Sequence, residues 1–141
     1  MAKVVDLLDK YYKQTNYNCA EAVFCAAREA WNLDIPEEAV KMMACFGGGM
    51  GTGIVCGAIS GGGAALSCKF VEGDGGHTSP LLMDLTRKYI RRTREAYGSE
   101  ACKDLRKQFH TPEERCYHTI CKVATILDEV YEEGIKASSA E

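Results

Sequence analysis

Apolar residues recur at helical spacing along most of the chain, and no segment of convincing length alternates apolar and polar with a period of two. Val4, Val5, Leu8, Tyr11 and Tyr12 predict a first helix over residues 2–14. Asn18, with Glu21 three positions on, forms a capping-box pattern, and Ala22, Val23, Ala26 and Ala30 carry an apolar stripe to about Trp31. A third helix is expected from Asp34 to about Phe46, with Pro36 in its first turn and Glu37 at the capping-box position. A Gly-rich loop follows at 47–53, and the Ala, Gly, Ile and Leu of residues 56–70 suit a short helix buried on most sides. After an exposed loop at 71–79, Ser79 and Pro80 open a long helix through Leu82, Leu85 and Tyr89 to Tyr97, where Gly98 stops it. Ser99 is expected to open a shorter helix carrying Cys102, Leu105 and Phe109. Thr111 and Pro112 should start the last one, with the stripe Cys116, Ile120, Val123, Leu127 and Val130 or Tyr131, ending near Gly134.

With no strand, internal repeat or linker in the pattern, the fold class is all-α. We expect a single-domain helical bundle over residues 1–135 with a central Gly-rich loop, and a disordered tail at 136–141. The 27 uncharged residues from Met42 to Cys68 are long enough to span a bilayer. Nine of them are Gly, however, which would break a lipid-exposed helix and orphan its backbone, so a buried segment is the better account. A net charge of −3, with basic and acidic residues interleaved, argues against nucleic acid and against a polybasic membrane anchor.

Cysteine changes the picture most. Eight of 141 residues are Cys, several times ordinary usage, yet 46% hydrophobic residues can build a core without covalent staples. The N-terminal residues show no signal-peptide pattern, so a cytoplasmic location with reduced thiols is expected. No two cysteines stand as C-x-x-C, which removes thioredoxin-like, zinc-knuckle and bacterial ferredoxin motifs. Any site must therefore gather sulfurs from distant elements. Helical phase puts Cys19, Cys102 and Cys116 on inward stripes, and Cys56 lies in the apolar central segment. The same four stand near predicted helix starts, where the dipole and free N–H groups favour thiolate. Cys25, Cys45 and Cys121 share faces with charged or polar residues and are expected to point outward or lie at borders, and Cys68 is ambiguous.

The string Cys56-Gly57-Ala58-Ile59-Ser60-Gly61, with Asn18-Cys19-Ala20-Glu21 upstream, Gly98-Ser99 before Cys102, and Cys116 ahead of an apolar helix, resembles the C_GCAxxG_C_C family of redox-active proteins over nearly the whole chain. The resemblance carries the four-cysteine pattern onto Cys19, Cys56, Cys102 and Cys116. It makes them the metal-ligating or catalytic candidates, with Gly57, Ala58 and Gly61 of the motif as cofactor-binding candidates. Cys121 competes with Cys116 for the last position, and the stripe after Cys116 decides for it. Four thiolates are the ligand set of an iron–sulfur cluster for electron transfer. Without a metal they could cycle as dithiols, for example Cys19 with Cys56 and Cys102 with Cys116. A third reading is a non-catalytic protein in which the four cysteines hold a structural zinc (Zn) ion. The first two make the chain an oxidoreductase or electron-transfer protein.

Other motifs carry less. The glycine run has no G-x-G-x-x-G register, no Gly-Lys-Ser/Thr and no preceding strand, so nucleotide readings fail. His118 and Cys121 are spaced to share a metal, although such a pair is more often solvent-facing. Arg87, Lys88, Arg91, Arg92 and Arg94 form a basic helix face that could dock an acidic redox partner protein. Tyr11, Tyr12 and Trp31 are candidates for a homodimer surface.

Overall fold

The structure, a computed structural model, describes residues 2–139 and is all-α; among these residues the only β-type pairings are two isolated bridges, Val55 with Ala101 and Thr111 with Arg115. Its centre is the crossing of α1 (Cys19–Ala30) and α2 (Gly57–Phe70). The two backbones touch because α2 presents glycine to α1. A Cβ at Gly57 would lie 2.4 Å from Cys19 Sγ, and one at Gly61 would lie 2.3 Å from the Ala20 carbonyl oxygen. On the opposite side Gly62 admits the Tyr89 hydroxyl and Leu127.

α3 (Pro80–Tyr97) and α5 (Tyr117–Ser139) close the core with Leu82, Leu85 and Tyr89 from one and Ile120, Val123, Leu127 and Val130 from the other. Tyr89 is wholly buried and its hydroxyl donates to the Ala58 carbonyl at 3.0 Å, so its polar end has a partner inside the core. α4 (Cys102–Phe109) is short and packs beside the start of α5. Asp128 of α5 accepts from the Val4 and Val5 N–H groups at 2.8 and 3.2 Å, which ties down the first, otherwise orphaned, donors of the N-terminal helical segment.

Several expected boundaries move. The N-terminal segment is a 3-10 turn, Val5–Leu7, followed by a wide π-type turn, Asp9–Lys13, in place of one α-helix. The third helix is a 3-10 helix, Glu37–Phe46. Pro36 has extended backbone and precedes it, and near its end the Ala44 carbonyl is taken by Asn18 Nδ2 at 2.9 Å. α4 begins at Cys102 because residues 100–102 are held extended against 54–56. Cys56 N donates to Glu100 O at 2.9 Å, and Cys102 N donates to Ile54 O at 2.6 Å. α5 starts at Tyr117, since residues 111–115 close a turn on themselves with Arg115 at φ 53°. α5 also runs past Gly134 to Ser139, so the expected tail overlaps its last turn. Gly134 stays helical because its bare Cα faces Phe70 and Leu85. Ala140 and Glu141 lie outside the described residues.

Trp31 and Tyr12, expected at a surface, are buried: Trp31 stacks on Tyr131 with ring centroids 4.1 Å apart, and Tyr12 packs near Tyr117. The basic face of α3 is largely answered by carboxylates. Lys88 reaches Asp84 and Glu133, Arg92 pairs with Glu133, Arg91 with Glu95 and Arg94 with Glu100. No helix among the described residues is long and apolar enough to cross a membrane.

The α1–α2 crossing yields a paired prediction. Gly61→Ala drives a methyl into the Ala20 carbonyl and should cost about 1–3 kcal/mol of unfolding free energy in urea titrations. Gly63→Ala meets open space on the same helix and should gain about 0.5–1 kcal/mol. Changes of the same sign at both positions would refute backbone contact at Gly61.

Candidate functional site

Four helix starts meet at one point. Cys19 is the first residue of α1, directly behind Asn18, whose Oδ1 accepts from Glu21 N at 3.0 Å while Glu21 Oε1 accepts from Asn18 N at 2.9 Å. Cys56 occupies the cap position before α2, and its sulfur accepts from the Ala58 and Ile59 N–H groups. Cys102 opens α4. Cys116 immediately precedes α5, its carbonyl accepts from Ile120 N at 3.0 Å, and its own N–H donates to the Tyr12 hydroxyl at 3.2 Å. The backbone pairing of 54–56 with 100–102 holds Cys56 and Cys102 on neighbouring strands of chain. Gly48 and Gly49, both at positive φ, bring the glycine run over them, and a Cβ at Gly49 would come within 2.8 Å of Cys102 Cβ.

The result is a cavity of about 30 Å³ lined by Cys19, Cys56, Cys102 and Cys116 together with Gly48, Leu105, Arg106, Thr119 and Ile120. Cys19, Cys56 and Cys102 are buried, and Cys116 is half-buried, the least enclosed residue of the four. The structure thus brings together the four cysteines singled out by phase and by the motif. The other four are elsewhere. Cys45 and Cys68 are exposed, and Cys121 lies beside Lys13 and Glu114, away from the cavity. Cys25, expected to face outward, is buried near Tyr17, because α1 is covered on almost every side. Gly57 and Gly61 act as contact points between helices, and Ala58 supplies an N–H to Cys56 and a carbonyl to Tyr89.

Helix starts were expected to lower the thiol pKa values, and here burial outweighs them. Burial, with the neighbouring Cys19 charge, pushes Cys56 up to about 12 against the help of its two backbone donors. Burial and then Cys19 also push Cys102 and Cys116 up, and the Arg106 guanidinium opposes both shifts. Cys19 is the sulfur common to all three.

Arg106, Thr119 and Tyr12 were missed from sequence. The first two had a readable signal: Arg106 is four residues after Cys102 and Thr119 three after Cys116, each on its cysteine's helix face. Thr119 is 3% exposed. Its Oγ1 is the one buried side-chain nitrogen or oxygen among the described residues without a hydrogen-bond partner, and it belongs to the cavity wall.

Four thiolates are the donor chemistry of an iron–sulfur cluster or of zinc. Among the described residues, however, no three His, Cys, Asp or Glu side chains stand in an arrangement that could hold a metal ion. As arranged here, the four thiols do not form such a ligand group. His118 and Cys121 likewise gather no third ligand.

A family model described as "Putative redox-active protein (C_GCAxxG_C_C)" matches residues 17–130, the span that contains every residue lining the cavity. No curated protein and no solved structure matches the chain.

Two measurements follow from this wall. The folded-state pKa of Cys56 lies above its unfolded value of 9.0, so the unfolded chain loses that proton first. Stability then falls as pH rises from about 9 toward 12. Cys56→Ser keeps an acceptor for Ala58 and Ile59 but cannot ionise there, so its Tm should fall less steeply over that range. Identical slopes would place the shift elsewhere. Thr119→Val removes the orphan hydroxyl and should raise stability by about 1 kcal/mol in urea unfolding.

Proposed function

Because the chain belongs to the C_GCAxxG_C_C family, we propose that its four cavity cysteines form a thiol–disulfide redox centre that reduces disulfides. The observation that carries this reading is the convergence of Cys19, Cys56, Cys102 and Cys116 on one small cavity in which Cys116 is the least enclosed residue. Exchange needs one sulfur that a substrate can touch and a second, protected one that can complete the reaction. Cys116 fits the first role. Cys19 fits the second, since its charge acts on Cys116 more strongly than that of Cys102 does.

The Cys116 thiolate attacks a substrate disulfide, forming a mixed disulfide and releasing one substrate thiolate. The Cys19 thiolate then attacks the Cys116 sulfur, forming Cys19–Cys116 and releasing the second. In total two protein thiols lose two electrons and two protons, and one disulfide becomes two thiols. The direction follows from burial. A dithiol whose thiolate form is poorly stabilised lies toward the reducing side of the scale, the opposite of couples whose reduced thiolate is held by its surroundings. Thr119 Oγ1 can donate to a sulfur anion formed inside the cavity, which would give the orphan hydroxyl its partner.

The test is mild oxidation of anaerobically prepared protein, with thiol counting, peptide mapping and metal analysis. The expected outcome is loss of two thiols and a Cys19–Cys116 disulfide. Exchange should be slowed about tenfold or more by Cys116→Ser and unchanged by Cys45→Ser or Cys68→Ser. Unchanged thiol counts would overturn the proposal. Stoichiometric iron and sulfide, or zinc, lost on substitution of the same four cysteines would replace it with a metal centre.

A further inference from the structure

Arg106 and Arg115 flank Cys116, the least enclosed of the four cavity cysteines. Arg106 is part of the cavity wall. Arg115 directly precedes Cys116 and lies 4.8 Å over the ring of Tyr12, the residue whose hydroxyl accepts from Cys116 N. Both arginines are exposed, and among the described residues neither takes part in an ion pair. This sets them apart from the α3 arginines Arg91, Arg92 and Arg94, each of which has a carboxylate partner. Of the carboxylates on the turn before α5, Glu114 is held by Lys13 at 2.8 Å, leaving Glu113 exposed. The approach to Cys116 therefore carries two guanidinium groups free for an incoming anion, in a planar, multi-donor form suited to carboxylate.

We propose that the substrate is a low-molecular-weight disulfide bearing carboxylate groups, selected by Arg106 and Arg115. The proposal rests on the thiol–disulfide reading above. A small molecule is favoured over a protein because Cys116 is half-buried: an attacking sulfur needs its target in line, and a compact disulfide can enter where the shoulders of a folded partner would meet the surface first. The arginines act twice. They attract the anion, and they hold the carboxylate-bearing thiolate as it leaves when Cys116 takes over the S–S bond. The chemistry balances as before: two protein thiols and one disulfide give one protein disulfide and two substrate thiols.

The test uses the full chain with Cys45→Ser and Cys68→Ser, which removes the exposed thiols. Mixed-disulfide formation at Cys116 is followed by mass spectrometry with oxidised glutathione, which is anionic, and cystamine, which is cationic. Oxidised glutathione should react about tenfold faster at low salt, and about 0.5 M salt should largely erase the difference. Arg106→Glu should reverse the preference, and Arg106→Gln should bring the two rates together. Equal rates at low salt, or a preference untouched by Arg106→Glu, overturns the substrate assignment and leaves the redox reading standing. So does failure of both disulfides where a neutral oxidant still forms Cys19–Cys116. Failure of every oxidant to remove thiols overturns both.

Discussion

The close approach of α1 and α2 is the constraint on which the rest depends. Gly57 and Gly61 carry no Cβ, so the start of α2 settles against the start of α1 at a distance no other residue would permit. Cys19 and Cys56 are the residues at those two starts. Helix contact therefore seats the Cys19 sulfur against the start of α2, and the Gly after Cys56 is required by that sulfur. The remaining two thiols arrive by a different device. The short pairing of 54–56 with 100–102 aligns α4 with α2, and the closed turn at 111–115 aims α5 at the same place.

Helix starts normally favour anions, and four of them surround this cavity. Three of its cysteines nonetheless hold their protons more tightly than free thiols do. The resolution lies in magnitude. A helix start contributes roughly 0.3–1 kcal/mol to a nearby charge at an exposed site, somewhat more when partly buried, whereas removal of a thiolate from water can shift its pKa by several units. Burial therefore wins wherever the sulfur is enclosed. Side-chain cations join the opposition at two of them: Arg106 at Cys102 and Cys116, and Arg115 at Cys116.

Much of this architecture is legible in the residue pattern. The capping box at Asn18 and Glu21 appears as read, and the long helix from Pro80 to Tyr97 has its expected Gly98 stop in left-handed conformation. Helical phase selected Cys19, Cys102 and Cys116, and the apolar central segment added Cys56; all four line the cavity, because both signals report burial and the cavity lies inside the core. Phase failed for Cys25 for the converse reason: a helix surrounded on nearly all sides has no outward face, so polar neighbours such as Glu21 and Arg28 cease to mark exposure. Ser99 and Pro112 read as helix openings on local preference alone. Pairings between distant segments, Ile54 with Cys102 and Thr111 across its turn to Arg115, decide where α4 and α5 begin. No local pattern carries that information.

The cavity's charge capacity shapes any chemistry performed there. Cys19 raises the pKa of Cys56, Cys102 and Cys116 together, which means that a negative charge on one sulfur opposes a second on any neighbour. Ionising one of these sulfurs therefore disfavours ionising its neighbours. Such a site suits stepwise exchange, in which a single thiolate attacks, is consumed in an S–S bond and is replaced by the next. It resists a ligand that needs four thiolates at once, unless that ligand's own positive charge offsets their repulsion. The number of positive charges brought into the cavity thus separates the two chemistries open to four converging cysteines, and the chain's own contribution comes from Arg106, in the cavity wall, and Arg115, next to Cys116.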